Sequence, residues 1–148
     1  MSNADSLPLE FTHFVRDNCL CLHVQRAARA LARRFDEALR PVELTQGQFS
    51  LLISLNRPEP PTIGSVSNLL AMDRTTLTAN LKPLERRGLV KVKVDKEDRR
   101  SRRLTLTAAG KELLAKAAPI WRETHAEVEG QLMQAGPDLL RASLRALS

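Results

Sequence analysis

The sequence predicts a mainly helical fold carrying one small β-hairpin, and three observations point there. Leu, Ala and Arg dominate while aromatic residues make up only 3%, a composition that suits helices better than sheets. Apolar residues recur at steps of three or four through most of the chain. Only residues 89–94 and 103–107 switch to strict alternation, the period of a strand with one buried face. A chain of 148 residues, 43% apolar and 27% charged, suffices for one compact domain but not for two.

Residues 1–10 are expected to form a flexible N-terminus, with residues 11–148 as a single domain. Residues 12–40 carry Leu20, Val24, Ala28, Leu31, Phe35 and Leu39 on one stripe and predict one long amphipathic helix, stopped by Pro41. Thr45 and Gln48 have the spacing of a capping box ahead of a second helix with Phe49, Leu51, Leu52 and Leu55. Arg57-Pro58-Glu59-Pro60-Pro61 is a stiff connector. A short helix over 62–70 follows, then a turn at Ala71 and Met72. Asp73 is placed to cap a further helix over 74–87, which Gly88 ends. Two helices joined by so short a turn form a helix-turn-helix layout, and the second has a polar, hydroxyl-rich outer side.

Alternating valine and lysine over 89–94 and the run over 103–107 flank a polar loop, which together predict a hairpin with a charged tip. A hairpin directly after a recognition-type helix is a wing. Residues 108–134 are expected to form a long helix with Leu113, Leu114, Ala117, Trp121, Val128 and Leu132 inward and a kink at Pro119. Gly136-Pro137-Asp138 breaks the chain before a last helix over 139–147. The predicted fold is therefore a winged helix-turn-helix lobe over about residues 45–107, flanked by helices over about 12–40 and 108–147. Those flanking helices exceed what the lobe's core needs, which suits packing against a second copy.

The net charge of +6 is localised. Residues 82–103 hold ten basic residues against four acidic ones, and the rest of the chain is balanced at 13 of each. A polyanionic partner is implied, with double-stranded DNA favoured and an acidic protein as the alternative. RNA fits less well, since no aromatic residue lies in the basic segment to stack on bases. No His-Glu-x-x-His, Cys-x-x-Cys, phosphate loop or nucleophile elbow occurs, so no catalytic, metal or cofactor site is expected. No run approaches the roughly 18–20 apolar residues of a membrane span, and the chain is expected to be cytoplasmic.

The sequence resembles the MarR family of bacterial winged helix-turn-helix transcriptional regulators over about residues 12–147. The residues that carry the resemblance are Leu44-Thr45-Gln46-Gly47-Gln48-Phe49, Asp73-Arg74-Thr75-Thr76-Leu77-Thr78, Leu84-Glu85-Arg86-Arg87-Gly88-Leu89-Val90, and Asp98-Arg99-Arg100 leading to Leu104-Thr105-Leu106-Thr107-Ala108-Ala109-Gly110. The resemblance implies a homodimer joined through its first and last helices, a DNA-binding lobe on each subunit, repression, and a ligand or oxidant that releases the DNA. Two lobes related by a two-fold axis imply a pseudo-palindromic operator with half-sites about one helical turn apart.

Candidate base and phosphate contacts on the recognition helix are Arg74, Thr75, Thr76, Thr78, Ala79, Asn80 and Lys82. Asn80 has the chemistry to pair with adenine, and any threonine has capping or a phosphate as its other role. On the wing the candidates are Asp98, Arg99, Arg100 and Arg102. Arg100 takes the position whose arginine, in the family, enters the minor groove. Asp98 either orients an arginine or caps the turn.

Cys19 and Cys21 are expected on one helix with diverging side chains, which disfavours a mutual disulfide. They lie near the place where the hydroperoxide-sensing branch of the family carries a reactive cysteine. That branch holds its cysteine with tyrosines, and this chain has none. Inert thiols are the other reading. The competing signal is a small aromatic ligand, with His23, Arg26, Arg29 and Trp121 as candidate lining.

Overall fold

The computed structural model describes residues 6–132, 134 and 136–148. The elements are α1 (Leu9–Asn18), α2 (Leu20–Leu39), a 3-10 turn (Arg40–Val42), α3 (Gln46–Ser54), α4 (Ile63–Leu70), α5 (Arg74–Arg86), β1 (Val90–Val94), β2 (Arg102–Leu106), α6 (Ala108–Gly130) and α7 (Pro137–Ala146). The expected mainly helical fold with one hairpin is what forms.

The expected single helix over 12–40 is instead two. Cys19 adopts φ −66° and ψ 110°, outside the helical region, and separates α1 from α2. Local polar chemistry accounts for the break. The Asn18 side-chain amide donates to the carbonyl of Phe14 at 2.8 Å, a side-chain bond that competes with the helical ladder. Beyond the break, the Cys19 Sγ accepts the backbone N–H of Leu22 at 3.4 Å and serves as the cap of α2. Helix also begins earlier than expected, at Leu9, so the N-terminal lead-in is shorter; residues 1–5 of it lie outside the described residues. At the other end, α6 runs unbroken through Pro119 and stops at Gly130 rather than 134; Met133 lies outside the described residues.

Side-chain oxygens start several helices, those of Thr45 and Asp73 as expected. Thr45 accepts the N–H of Gln48 while the Gln48 side chain accepts the N–H of Thr45, a complete capping box. Thr62, Asp73 and Thr107 cap α4, α5 and α6 through their side-chain oxygens. Gly88 takes φ +71° after α5, a left-handed position that a side chain would strain. Gly110 serves a different need. A Cβ there would lie 2.2 Å from the Leu89 carbonyl oxygen, so only glycine lets α6 approach the start of the hairpin this closely.

β1 and β2 pair antiparallel, with Val90 opposite Leu106, Val92 opposite Leu104 and Val94 opposite Arg102. That register turns Val90, Leu104 and Leu106 into a core shared with Leu52, Val66, Leu77, Leu81 and Leu84 from α3, α4 and α5. Phe35 and Leu39 of α2 and Leu114 and Ala117 of α6 close the same core from the other side. Trp121 joins them by stacking on Phe35 and Phe49, with ring centroids 6.5 and 6.0 Å away. By contrast α1 and α7 bury no residue, although they carry Phe11, Phe14, Leu139, Leu140 and Leu144.

Candidate nucleic-acid interface

The site begins at the turn between α4 and α5. Ala71 ends α4 in the left-handed region, φ 50°, which reverses the chain within two residues. The Ser67 hydroxyl donates to the Met72 carbonyl and ties the turn back to α4. Asp73 then opens α5 by accepting both the backbone N–H (2.8 Å) and the hydroxyl (2.9 Å) of Thr76. Those bonds, the backbone one foremost, hold the Asp73 carboxyl below the ordinary aspartate range.

Around this start, Thr62, Ile63 and Gly64 of the α4 N-terminus, Arg74 and Thr78 of α5, and Asp98, Arg100, Ser101 and Arg102 of the wing line one open cleft of 320 Å³. Helix and wing therefore share a single concave face. The Arg74 guanidinium lies against Gly64, where a Cβ would come within 3.0 Å of Nη2. Thr75, Ala79 and Lys82 are exposed and, by their spacing, share a further stripe of α5. Thr76 is also exposed, but its hydroxyl is committed to the cap.

Asn80 stands apart. It lines a separate 200 Å³ crevice with Gln46, Ser50 and Met72, and its amide lies 3.6 Å from the Met72 sulfur. The structure thus groups Arg74 and Thr78 with the wing, but not Asn80.

At the wing tip, Asp98 takes the turn-capping role. Its carboxylate accepts the backbone N–H of Arg100 at 3.0 Å, and its carbonyl accepts the N–H of Ser101 at 2.9 Å. The carboxylate that meets a guanidinium is Asp95, which accepts from Arg103 at 3.4 Å. Sequence reasoning missed this pair. Among the described residues, no carboxylate pairs with the guanidinium of Arg99, Arg100 or Arg102, leaving three exposed cations at the tip. Arg102 folds back toward the carbonyls of Arg99 (3.2 Å) and Ser101 (3.3 Å).

The sensing candidates are not gathered in one place. His23 Nδ1 lies 2.7 Å from the Cys19 carbonyl oxygen, and Arg26 is exposed further along α2. Trp121 is remote from Cys19: Phe35, which stacks on it, lies 16 residues beyond Cys19, roughly 24 Å of helical rise. Phe49 and His125 pack on Trp121 as well, the latter at 4.5 Å between centroids, so this half-buried indole packs against the edge of the core.

Comparison with known proteins bears directly on this arrangement. The model of the MarR family matches residues 44–101, the span from α3 to the wing tip. The organic hydroperoxide resistance transcriptional regulator of Bacillus subtilis (strain 168) is 31% identical over 140 residues, covering 93% of this chain and 92% of that protein. The chain belongs to the MarR family. Among solved structures, the transcriptional regulator MosR of M. tuberculosis, in complex with DNA, superposes with a TM-score of 0.80. It is 38% identical, covering 88% of this chain and 93% of that one. The transcriptional repressor CouR, bound to a 23-mer DNA duplex, gives a TM-score of 0.73 at 28% identity, covering 97% and 96%. This MarR-family chain is a DNA-binding transcriptional regulator. No helix among the described residues is long and apolar enough to cross a membrane.

Proposed function

We propose that the chain is a homodimeric repressor that reads a pseudo-palindromic operator, with α5 in the major groove and the wing in the adjacent minor groove. The observation that carries this reading is the shared cleft, which turns Arg74 and Thr78 of α5 and Arg100 and Arg102 of the wing toward one ligand. Major-groove edges present distinct donor and acceptor patterns to a helix, and a narrow minor groove concentrates negative potential for an arginine. The dimer is supported by α1 and α7, whose apolar side chains stay exposed in the single chain. Selecting bound sequences from a random duplex pool tests the reading. Two inverted half-sites are expected; a single unpaired half-site would overturn it.

Of the two signals considered, oxidation at Cys19 or Cys21 has the stronger support. Cys21 is exposed, and Cys19 stands at a helix break with its sulfur at the α2 N-terminus rather than packed within a helix. The relative at 31% identity bears organic hydroperoxide resistance in its name. Attack of a thiolate on a hydroperoxide breaks the O–O bond, leaving a sulfenic acid on the cysteine and an alcohol once the departing oxygen takes a proton from water. A small aromatic acid is the second reading, favoured by exposed His23 and Arg26 beside the uncovered apolar side chains of Leu20 and Val24. Such a ligand would sit on that face. Titrating the operator complex with cumene hydroperoxide and with benzoate separates the two. Release by hydroperoxide that is lost in Cys19→Ser or Cys21→Ser supports oxidation, and release by benzoate alone supports the ligand.

A further inference from the structure

We propose that Arg103 is the positioning residue of the wing, clamping the hairpin to the proline-rich connector between α3 and α4 without itself touching DNA. The proposal rests on the wing's role in DNA binding. Its root is the connector Arg57-Pro58-Glu59-Pro60-Pro61, in which three prolines offer carbonyls but no N–H groups. Pro60 and Pro61 can join a sheet edge only as acceptors, so the neighbouring strand must supply the donors there.

β2 supplies two. The Leu104 backbone N–H donates to the Pro61 carbonyl at 2.9 Å, within an isolated antiparallel bridge between Thr62 and Arg103. The Arg103 guanidinium donates through Nη1 to the Pro60 carbonyl at 2.8 Å. Its Nη2 donates to Asp95 Oδ2 at 3.4 Å. Asp95 is largely buried, its side chain 13% exposed, and its other oxygen accepts the Glu97 N–H at 3.3 Å. The Asp95 backbone N–H closes the loop on the Ser101 carbonyl at 3.0 Å. One planar guanidinium thus links connector, β1 end and tip closure, a fork that an ammonium does not reproduce.

Strand alternation separates this role from that of its neighbour. Arg102 is opposite Val94 and turns into the cleft with Arg100, whereas Arg103 is opposite Lys93 and turns to the other face of the hairpin. The connector it grips leads straight into Thr62, the cap of α4 and a wall of that cleft. Arg103 therefore sets where Arg100 stands relative to α5.

The test compares Arg103→Ala, Arg103→Lys, Arg100→Ala and the Arg100/Arg103 double alanine variant in two assays. In the free protein, the Leu104 amide should exchange with solvent at least about tenfold faster in Arg103→Ala, with a smaller rise in Arg103→Lys and none in Arg100→Ala, as local opening becomes easier. On operator duplex, Arg103→Ala should weaken binding by about tenfold while the slope of log affinity against log salt stays at its wild-type value; losing a direct phosphate contact would lower that slope by about 1. The double variant should lose at least about threefold less than the product of the single losses, since coupled residues are not additive. Unchanged Leu104 exchange in Arg103→Ala overturns the clamp. A reduced salt slope or a fully multiplicative double variant overturns the positioning role and makes Arg103 a contact. If the wild type fails to bind any duplex, the wing reading fails, and the exchange assay still decides the clamp.

Discussion

The lobe from α3 to β2 and the helices at the chain ends treat apolar side chains in opposite ways. Leu52, Val66, Leu77, Leu84 and Leu104 are sealed within the lobe, while Leu139 of α7 remains 62% exposed and Phe14 of α1 61% exposed. Each helix of the lobe finds its partner within the same chain, and the hairpin closes the core through Val90, Leu104 and Leu106. The lobe is thus complete as a monomer. The end helices are amphipathic too, but their apolar stripes stay exposed, which is the pattern of a surface awaiting a second copy.

Breaking that contrast at the ends should have the largest effect. Replacing Phe14 and Leu144 together by glutamate is expected to give monomers in sedimentation and to cost operator affinity about 10²–10⁴-fold, the usual worth of bivalent attachment. The lobe should stay folded by circular dichroism. Next in size is the lobe's own core: Leu84→Ala, at a fully buried position, should lower unfolding free energy by about 2–5 kcal/mol in a denaturant titration. Arg100→Ala is expected to weaken operator binding by at least about 1 kcal/mol at fixed salt without moving the melting temperature.

The smallest effect concerns the start of α5. Because the Thr76 N–H and hydroxyl hold Asp73 below its ordinary range, its contribution is fully present above the unfolded aspartate value of about 3.9. It is lost as pH falls through the lowered folded value. Amide exchange at Thr76 should therefore quicken in strong acid relative to its intrinsic rate, and Asp73→Asn should abolish that acid step.

Most of the lobe was legible because its signals are local. Thr45 and Asp73 each announce a helix start by residue type and spacing, and the Val–Lys alternation of β1 announces its buried face. The break at Cys19 was hidden, since no proline or glycine marks it and the deciding bond is Asn18 to the Phe14 carbonyl. At the site, composition picked out the wing arginines, and strand parity separates Arg102 from Arg103. The partner of Arg103 is a carbonyl 43 residues away, Pro60, which no local pattern encodes. Asn80 likewise lies beside Met72, eight residues back, a neighbour that its residue type does not announce.

The most direct measurement is the stoichiometry of the wild-type protein on its selected duplex, followed across salt concentrations. Two chains per duplex are expected, with affinity falling steeply as salt rises because the basic segment displaces counterions. One chain per duplex, or an affinity indifferent to salt, would contradict the account of a dimer placing two lobes and two wings on DNA.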